Sequence, residues 1–206
     1  MLLTIDPQQP EPWLVARAVA ALRRGGVVVL PTDTVYGLTC MLGDHGAADR
    51  LCEVKGITSA KRLSLLLPDL TSASRYARSI SNPIFRMMRR VLPGPYTFIF
   101  AASGEVPRVL LRRRRTVGIR IPDCAITQAV LAELGEGLLS TSVRNARDEL
   151  ILDPATIEEE LRGHVALVVD GGLLTNEPST IVDFSDSEPR LLREGKGEVA
   201  ALGLFD

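Results

Sequence analysis

One junction near the N-terminus commits this chain to a fold class. Pro12 can open a helix, apolar residues recur at Leu14, Val15, Ala18, Val19 and Leu22, and Gly25-Gly26 can close it in the left-handed conformation. Val27-Val28-Val29-Leu30 follows at once and is stopped by Pro31, which reads as a short strand buried on both faces. A strand with no polar face needs cover on both sides, so the expectation is α/β.

The alternation continues downstream. Helices are expected near Ala47 to Val54, after Asn82-Pro83, from Ala125 to Leu134, and from Ala155 to Leu161 behind an Asp153-Pro154 cap. Strands are expected at Leu63 to Leu67, Tyr96 to Ala101, Val117 to Ile121, Leu138 to Ser142, Ala166 to Asp170 and Thr180 to Phe184. The whole reads as one twisted mixed sheet flanked by helices, a single domain over residues 1–206 with no linker or repeat, and a loosely held tail from Gly195 to Asp206. At 206 residues a chain can bury roughly 70% of its unfolded surface, so the core needs neither a disulfide nor a structural metal.

Charge and cysteines narrow the function classes. Lys and Arg total 24 against 25 Asp and Glu, so no global positive field draws in a polyanion, although local patches still could. Three of the 24 cations are lysines (Lys55, Lys61, Lys196), which leaves 21 arginines; this reflects either compositional bias or a need for planar forks that clasp phosphate or carboxylate. Cys40, Cys52 and Cys124 are odd in number and lack a Cys-x-x-Cys pair, which argues against a disulfide framework or a zinc site and for buried thiols in a reducing compartment. No run approaches the ~18 apolar residues of a membrane span, and the expected location is the cytoplasm. His45 and His164 fall in no catalytic motif and read as surface residues.

Polar segments at strand ends carry the chemistry. Pro31-Thr32-Asp33-Thr34-Val35-Tyr36-Gly37-Leu38 lies where α/β sheets bind ligands; it could equally be a turn in which Asp33 and Thr34 bond their own backbone and Gly37 supplies a positive φ. Arg120 sits inside the apolar strand Val117 to Ile121 and requires an acidic partner or an anionic ligand. Ser140-Thr141-Ser142 and Ser179-Thr180 place hydroxyls at two further strand ends, and Arg193-Glu194-Gly195-Lys196 leads a basic residue into a glycine loop. Arg112, Arg113, Arg114 and Arg115 form either a solvated loop or a contact for RNA or phosphate. No protein motif for a metal ion is present, so a metal would arrive with a nucleotide.

Taken in order, Pro31-Thr-Asp-Thr-Val-Tyr-Gly-Leu38, Pro93-Gly-Pro-Tyr-Thr97, Val117-Gly-Ile-Arg-Ile-Pro122, Ser140-Thr-Ser142, Ser179-Thr-Ile-Val-Asp183 and Leu192-Arg-Glu-Gly195 resemble the YrdC/YciO family over nearly the whole chain. The resemblance implies one YrdC-like domain around a large concave basic surface. It also implies a nucleotidyltransferase, L-threonylcarbamoyladenylate synthase, which makes threonylcarbamoyl-AMP and pyrophosphate from L-threonine, bicarbonate and ATP with Mg²⁺. Partner proteins would pass the threonylcarbamoyl group to an adenosine of tRNA. Position by position it implies Thr34, Arg120, Ser140 and Ser179 for threonine, and Lys55, Thr116, Ser142 and Arg193 for the nucleotide, with Tyr36, Lys61 and Arg62 in support. Catalysis would come from positioning, without a protein nucleophile. Two departures resemble the YciO branch: Lys55-Gly56-Ile57-Thr58 replaces Lys-x-Arg-Pro, and Ser142-Val143-Arg144 replaces Ser-Ala-Asn. The alternative they raise is an RNA-binding protein, for double-stranded RNA or tRNA, with weak or no synthase activity.

Overall fold

The computed structural model describes residues 1–56, 63–107, 110 and 115–205. Ten strands form one mixed sheet: β1 (Leu2–Thr4), β2 (Val28–Leu30), β3 (Gly37–Met41), β4 (Ser64–Leu66), β5 (Tyr96–Ala101), β6 (Thr116–Arg120), β7 (Leu138–Ser142), β8 (Leu167–Asp170), β9 (Thr180–Asp183) and β10 (Arg190–Arg193). Their order across the sheet is β1-β8-β2-β3-β7-β4-β6-β5-β9-β10. The helices are α1 (Pro12–Arg23), α2 (His45–Lys55), α3 (Leu70–Tyr76), α4 (Asn82–Val91), α5 (Ala125–Leu134) and α6 (Pro154–Glu160), with a 3₁₀ turn at Ala200–Leu202. The α/β expectation and the single mixed sheet hold. Among the described residues no helix is long and apolar enough to cross a membrane.

Successive residues of a strand face opposite sides, and the two apolar cores follow that alternation. Val27 and Val29 enter one core while Val28 and Leu30 enter the other. The first core also takes Leu65, Phe98, Phe100, Val117, Ile119, Leu139 and Val182. On the opposite face, α1 and α5 pack against β1, β8 and β2 through Leu14, Val15, Val19, Ile126, Val130 and Leu131, reaching Leu66 and Leu138. Beyond those two leucines no residue of β5, β6, β9 or β10 joins that second core, so among the described residues no helix packs on this half of the face through it.

The sheet is strongly curled. In a flat sheet the ends of β2 and β10, seven strands apart, would be separated by ~34 Å. Instead the Lys196 ammonium, just past β10, donates to the Asp33 carbonyl, just past β2, at 2.6 Å. The uncovered half of the face is therefore the inside of a bowl.

Several elements lay outside the sequence expectation. β1 is only three residues long and alternates exposed and buried. β3 starts inside the Pro31–Leu38 motif and is buried because it is wedged between β2 and β7. α3 has the weak helical sequence LTSASRY and forms behind Asp69, whose carboxylate accepts from Ser72 N at 2.7 Å. The tail is not loosely held. Lys196 N donates to the Pro178 carbonyl, the Tyr96 hydroxyl donates to the Glu198 carbonyl, and Leu202 is buried.

A cation-lined cavity at the strand ends

A cavity of about 400 Å³ occupies the bowl. Its walls follow the period of two along each strand: Ser64 and Leu66 on β4, Thr97 and Ile99 on β5, Gly118 and Arg120 on β6, Ser140 and Ser142 on β7, and Ser179 with Ile181 at β9. Tyr36, Gly37, Thr141, Lys55, Arg144, Asp148 and Arg193 complete the wall that matters for binding. Four cations face one carboxylate there, so the cavity suits an anion.

Arg120 is the centre of the site. Its guanidinium is held against the β2–β3 segment, where Nη2 donates to Thr34 Oγ1 at 2.6 Å, Thr32 Oγ1 at 3.0 Å and Asp33 Oδ1 at 2.5 Å. The acidic partner that an arginine inside a strand requires is thus Asp33, and both side chains are only 9% exposed. Asp33 Oδ2 and Arg120 Nε are buried with no hydrogen-bond partner.

The β2–β3 segment is shaped by Thr32. Its hydroxyl donates to the Val35 carbonyl at 2.6 Å and receives Thr34 N and Val35 N, so the local turn is tied by Thr32 and not by Asp33 or Thr34. From α5, Thr127 Oγ1 donates to the Pro31 carbonyl and fixes where β2 ends. The reading of Gly37 as a positive-φ residue is corrected: it does not adopt that conformation, and its bare Cα is needed because a Cβ would lie 2.8 Å from Ser140 Oγ.

On the far wall Arg193 Nε donates to the Ser179 carbonyl at 2.8 Å and Nη2 to Ser179 Oγ at 3.1 Å. Burial, then the facing guanidinium groups of Arg144 and Arg120, lower the Arg193 pKa.

The predicted residues separate as follows. Arg120, Ser140, Ser179, Lys55, Ser142 and Arg193 share the cavity wall, and Thr34 touches Arg120 directly behind it. Thr116 does not line the cavity, because it begins β6 four residues, ~13 Å, before Arg120. Tyr36 borders the cavity, but its side chain joins the first core and its hydroxyl is committed elsewhere, donating to the Gly172 carbonyl at 2.7 Å and accepting from Gly171 N at 3.1 Å. Lys61, Arg62, Arg112, Arg113 and Arg114 lie outside the described residues, and Arg115 is exposed. His45 and His164 are exposed, while Cys40 is buried and Cys52 and Cys124 are half-buried. Among the described residues no group of three or more His, Cys, Asp or Glu gathers to hold a metal ion.

Arg144, Thr97 and Asp148 are wall residues outside the candidate set. Arg144 follows Ser140 and Ser142 at the same period of two, and Thr97 precedes Ile99 in the same way, so alternation alone would have placed both. Asp148 comes from a turn with φ of 63° at that residue, which no spacing rule supplies.

Fold and site together define an α/β domain whose curled sheet encloses a cavity lined by arginines and hydroxyls. The Sua5/YciO/YrdC family model, described as "Telomere recombination", matches residues 20–195. The chain belongs to that family. It is 40% identical to Escherichia coli YciO over 95% of both chains, and the crystal structure of that protein superposes with a TM-score of 0.91 over 98% of both at 38% identity. Human threonylcarbamoyl-AMP synthase is 36% identical over 82% of this chain, which spans 62% of the human protein. Pyrococcus abyssi Sua5 complexed with L-threonine superposes with a TM-score of 0.88 at 26% identity, covering 95% of this chain and 57% of that one.

Proposed function

We propose that this chain binds L-threonine and ATP side by side and joins them, through bicarbonate, into threonylcarbamoyl-AMP with release of pyrophosphate. The observation that carries the reading is the convergence of Arg120, Arg144, Arg193 and Lys55 with the hydroxyls of Ser140, Ser142 and Ser179 on one cavity. The names of the human relative and of the threonine-bound archaeal one support threonine as the amino acid.

In this reading Arg120 clasps the amino acid's carboxylate, a task for a planar fork. Asp33 and the Thr32 and Thr34 hydroxyls fix the angle of that fork. Ser140 and Ser179 complete the amino-acid side. Lys55, Ser142, Arg144 and Arg193 take the phosphates of ATP, which brings Mg²⁺ as its own counter-ion. The threonine amine and bicarbonate form a carbamate as water leaves. A carbamate oxygen then attacks the α-phosphorus, and the bond to the pyrophosphate oxygen breaks. No side chain forms a covalent bond; holding three reactants in line lowers the barrier by ~7–11 kcal/mol. The hydrogen bond from Arg193 to Ser179 joins the two sides, so each substrate stiffens the other's wall.

The test is direct. Pure protein with radiolabelled threonine, bicarbonate, ATP and Mg²⁺ should release pyrophosphate in proportion to labelled adenylate. Pyrophosphate at the level of a protein-free blank, while an active homologue run alongside turns over, overturns the reading and leaves binding of RNA as the alternative.

A further inference from the structure

Thr97 has no part in the division of residues given above, yet its hydroxyl stands on the cavity wall 2.8 Å from Ser179 Oγ. A proton count across this pair is informative. Two hydroxyls carry two protons and four lone pairs. Arg193 Nη2, which can only donate, already occupies one lone pair of Ser179 Oγ. The bond between the two hydroxyls consumes one proton, whichever oxygen supplies it. Among the described residues neither hydroxyl has another protein acceptor. One proton is therefore left over, on Thr97 if Ser179 donates or on Ser179 if Thr97 donates.

Both residues are at least nine-tenths buried, at 9% and 5% exposure, and the space they share is the cavity. An acceptor for that proton has to come from within it. With Arg120, Arg144, Arg193 and Lys55 on the same wall, the fitting acceptor is an oxyanion, either a carboxylate or a phosphate oxygen.

We propose that Thr97 and Ser179 act as one hydrogen-bond donor unit for an oxyanion in the cavity. Resting on the proposed function, the oxyanion is the carboxylate of the amino acid; if that reading fails, the same chemistry is met by a phosphate oxygen. The unit is redundant. Removing the Thr97 hydroxyl frees the Ser179 proton, and removing the Ser179 hydroxyl frees the Thr97 proton. Only the double change leaves the oxyanion without a donor here.

The experiment is calorimetry with L-threonine and, separately, with inorganic pyrophosphate on wild type, Thr97→Val, Ser179→Ala, the double variant and Thr97→Ser. Each single variant should weaken threonine binding by less than about 5-fold, and Thr97→Ser should match wild type. The double variant should lose roughly 10- to 100-fold, the worth of a hydrogen bond to a charged acceptor, and more than the product of the singles. Should the double variant not fold, protection of a hydroxyl proton at Thr97 or Ser179 on saturating labelled wild type with threonine replaces it. Losses that multiply, a double variant within about 2-fold of wild type, or no protected hydroxyl overturn the donor unit. A wild type that binds pyrophosphate but not threonine sinks the functional reading, and the donor unit is then judged by the same comparison on pyrophosphate. A wild type that binds neither overturns both.

Discussion

Asp33 and Arg120 meet through a single pair of atoms, Oδ1 and Nη2, while the two atoms that would complete a side-on pair, Oδ2 and Nε, are buried and unpaired. The Thr32 and Thr34 hydroxyls engage the same Nη2 and account for the offset, because a side-on pair would pull the guanidinium off them. Among the described residues Arg120 has no other ion-pair partner, so removing Asp33 would leave a cation with 9% exposure without its paired carboxylate. Asp33→Ala should therefore cost about 3–5 kcal/mol in urea denaturation. Threonine should restore more stability to this variant than to wild type, because its carboxylate replaces the missing charge. Equal stabilisation of both proteins by saturating threonine would refute the pairing argument.

Gly37 is opposite Ser142 in the β3–β7 ladder, and an added Cβ would fall 2.8 Å from Ser140 Oγ. The hydroxyl can turn about χ1 but then leaves its place on the wall. Gly37→Ala should cost about 1–3 kcal/mol of stability and at least 10-fold in threonine affinity. Unfolding and titration on the same sample would check both, and unchanged affinity would remove Ser140 from the amino-acid side.

Burial pushes the Cys40 thiol from an ordinary value of 9 up to about 12, with the Asp44 carboxylate adding to the effect. The sign follows from linkage: between those two values the unfolded chain has lost this proton and the folded one has kept it. Stability is then fully present below pH 9 and falls by about 1.4 kcal/mol per pH unit as pH rises toward 12. Cys40→Ala should flatten that slope, and the native Cys40 should resist alkylation at pH 8 until denaturant is added. Tyr36, also raised by burial, steepens the alkaline limb in the wild type and in the variant alike.

The bowl itself was only half legible in the chain. Val28 and Leu30 announced a buried strand through local pattern, and Arg120 announced a partner because an apolar strand leaves a guanidinium nowhere else to go. The identity of that partner, Asp33, depends on β4 and β7 lying between β6 and β3, a strand order that no local pattern encodes. The same holds for Lys196, whose contact with the Asp33 carbonyl exists only because the sheet curls. Arg144 and Thr97 were within reach of the period-of-two rule but are separated from their neighbours by residues of the opposite core, Val143 and Phe98, so each looks isolated when read singly.

Arg193 supplies the last case, in which two substituents with the same charge give different outcomes. Its Nε and Nη2 reach the carbonyl and the hydroxyl of Ser179 together, a two-pronged grip that a lysine ammonium on a flexible stem reproduces poorly. The site is half-buried, and burial followed by Arg144 and Arg120 already disfavours the charged form of arginine there. Arginine still keeps its proton at any working pH, whereas a lysine starts from a pKa near 10.4 and the same environment would bring it toward neutrality. Arg193→Lys should therefore bind ATP about 10-fold more weakly than wild type near pH 6.5, from loss of the fork, and weaker still at pH 9 as the ammonium deprotonates. The wild type should change little between the two. Calorimetric titration with ATP and Mg²⁺ at both values separates the effects, and a variant whose affinity runs parallel to wild type across that range would show that Arg193 does not face the nucleotide.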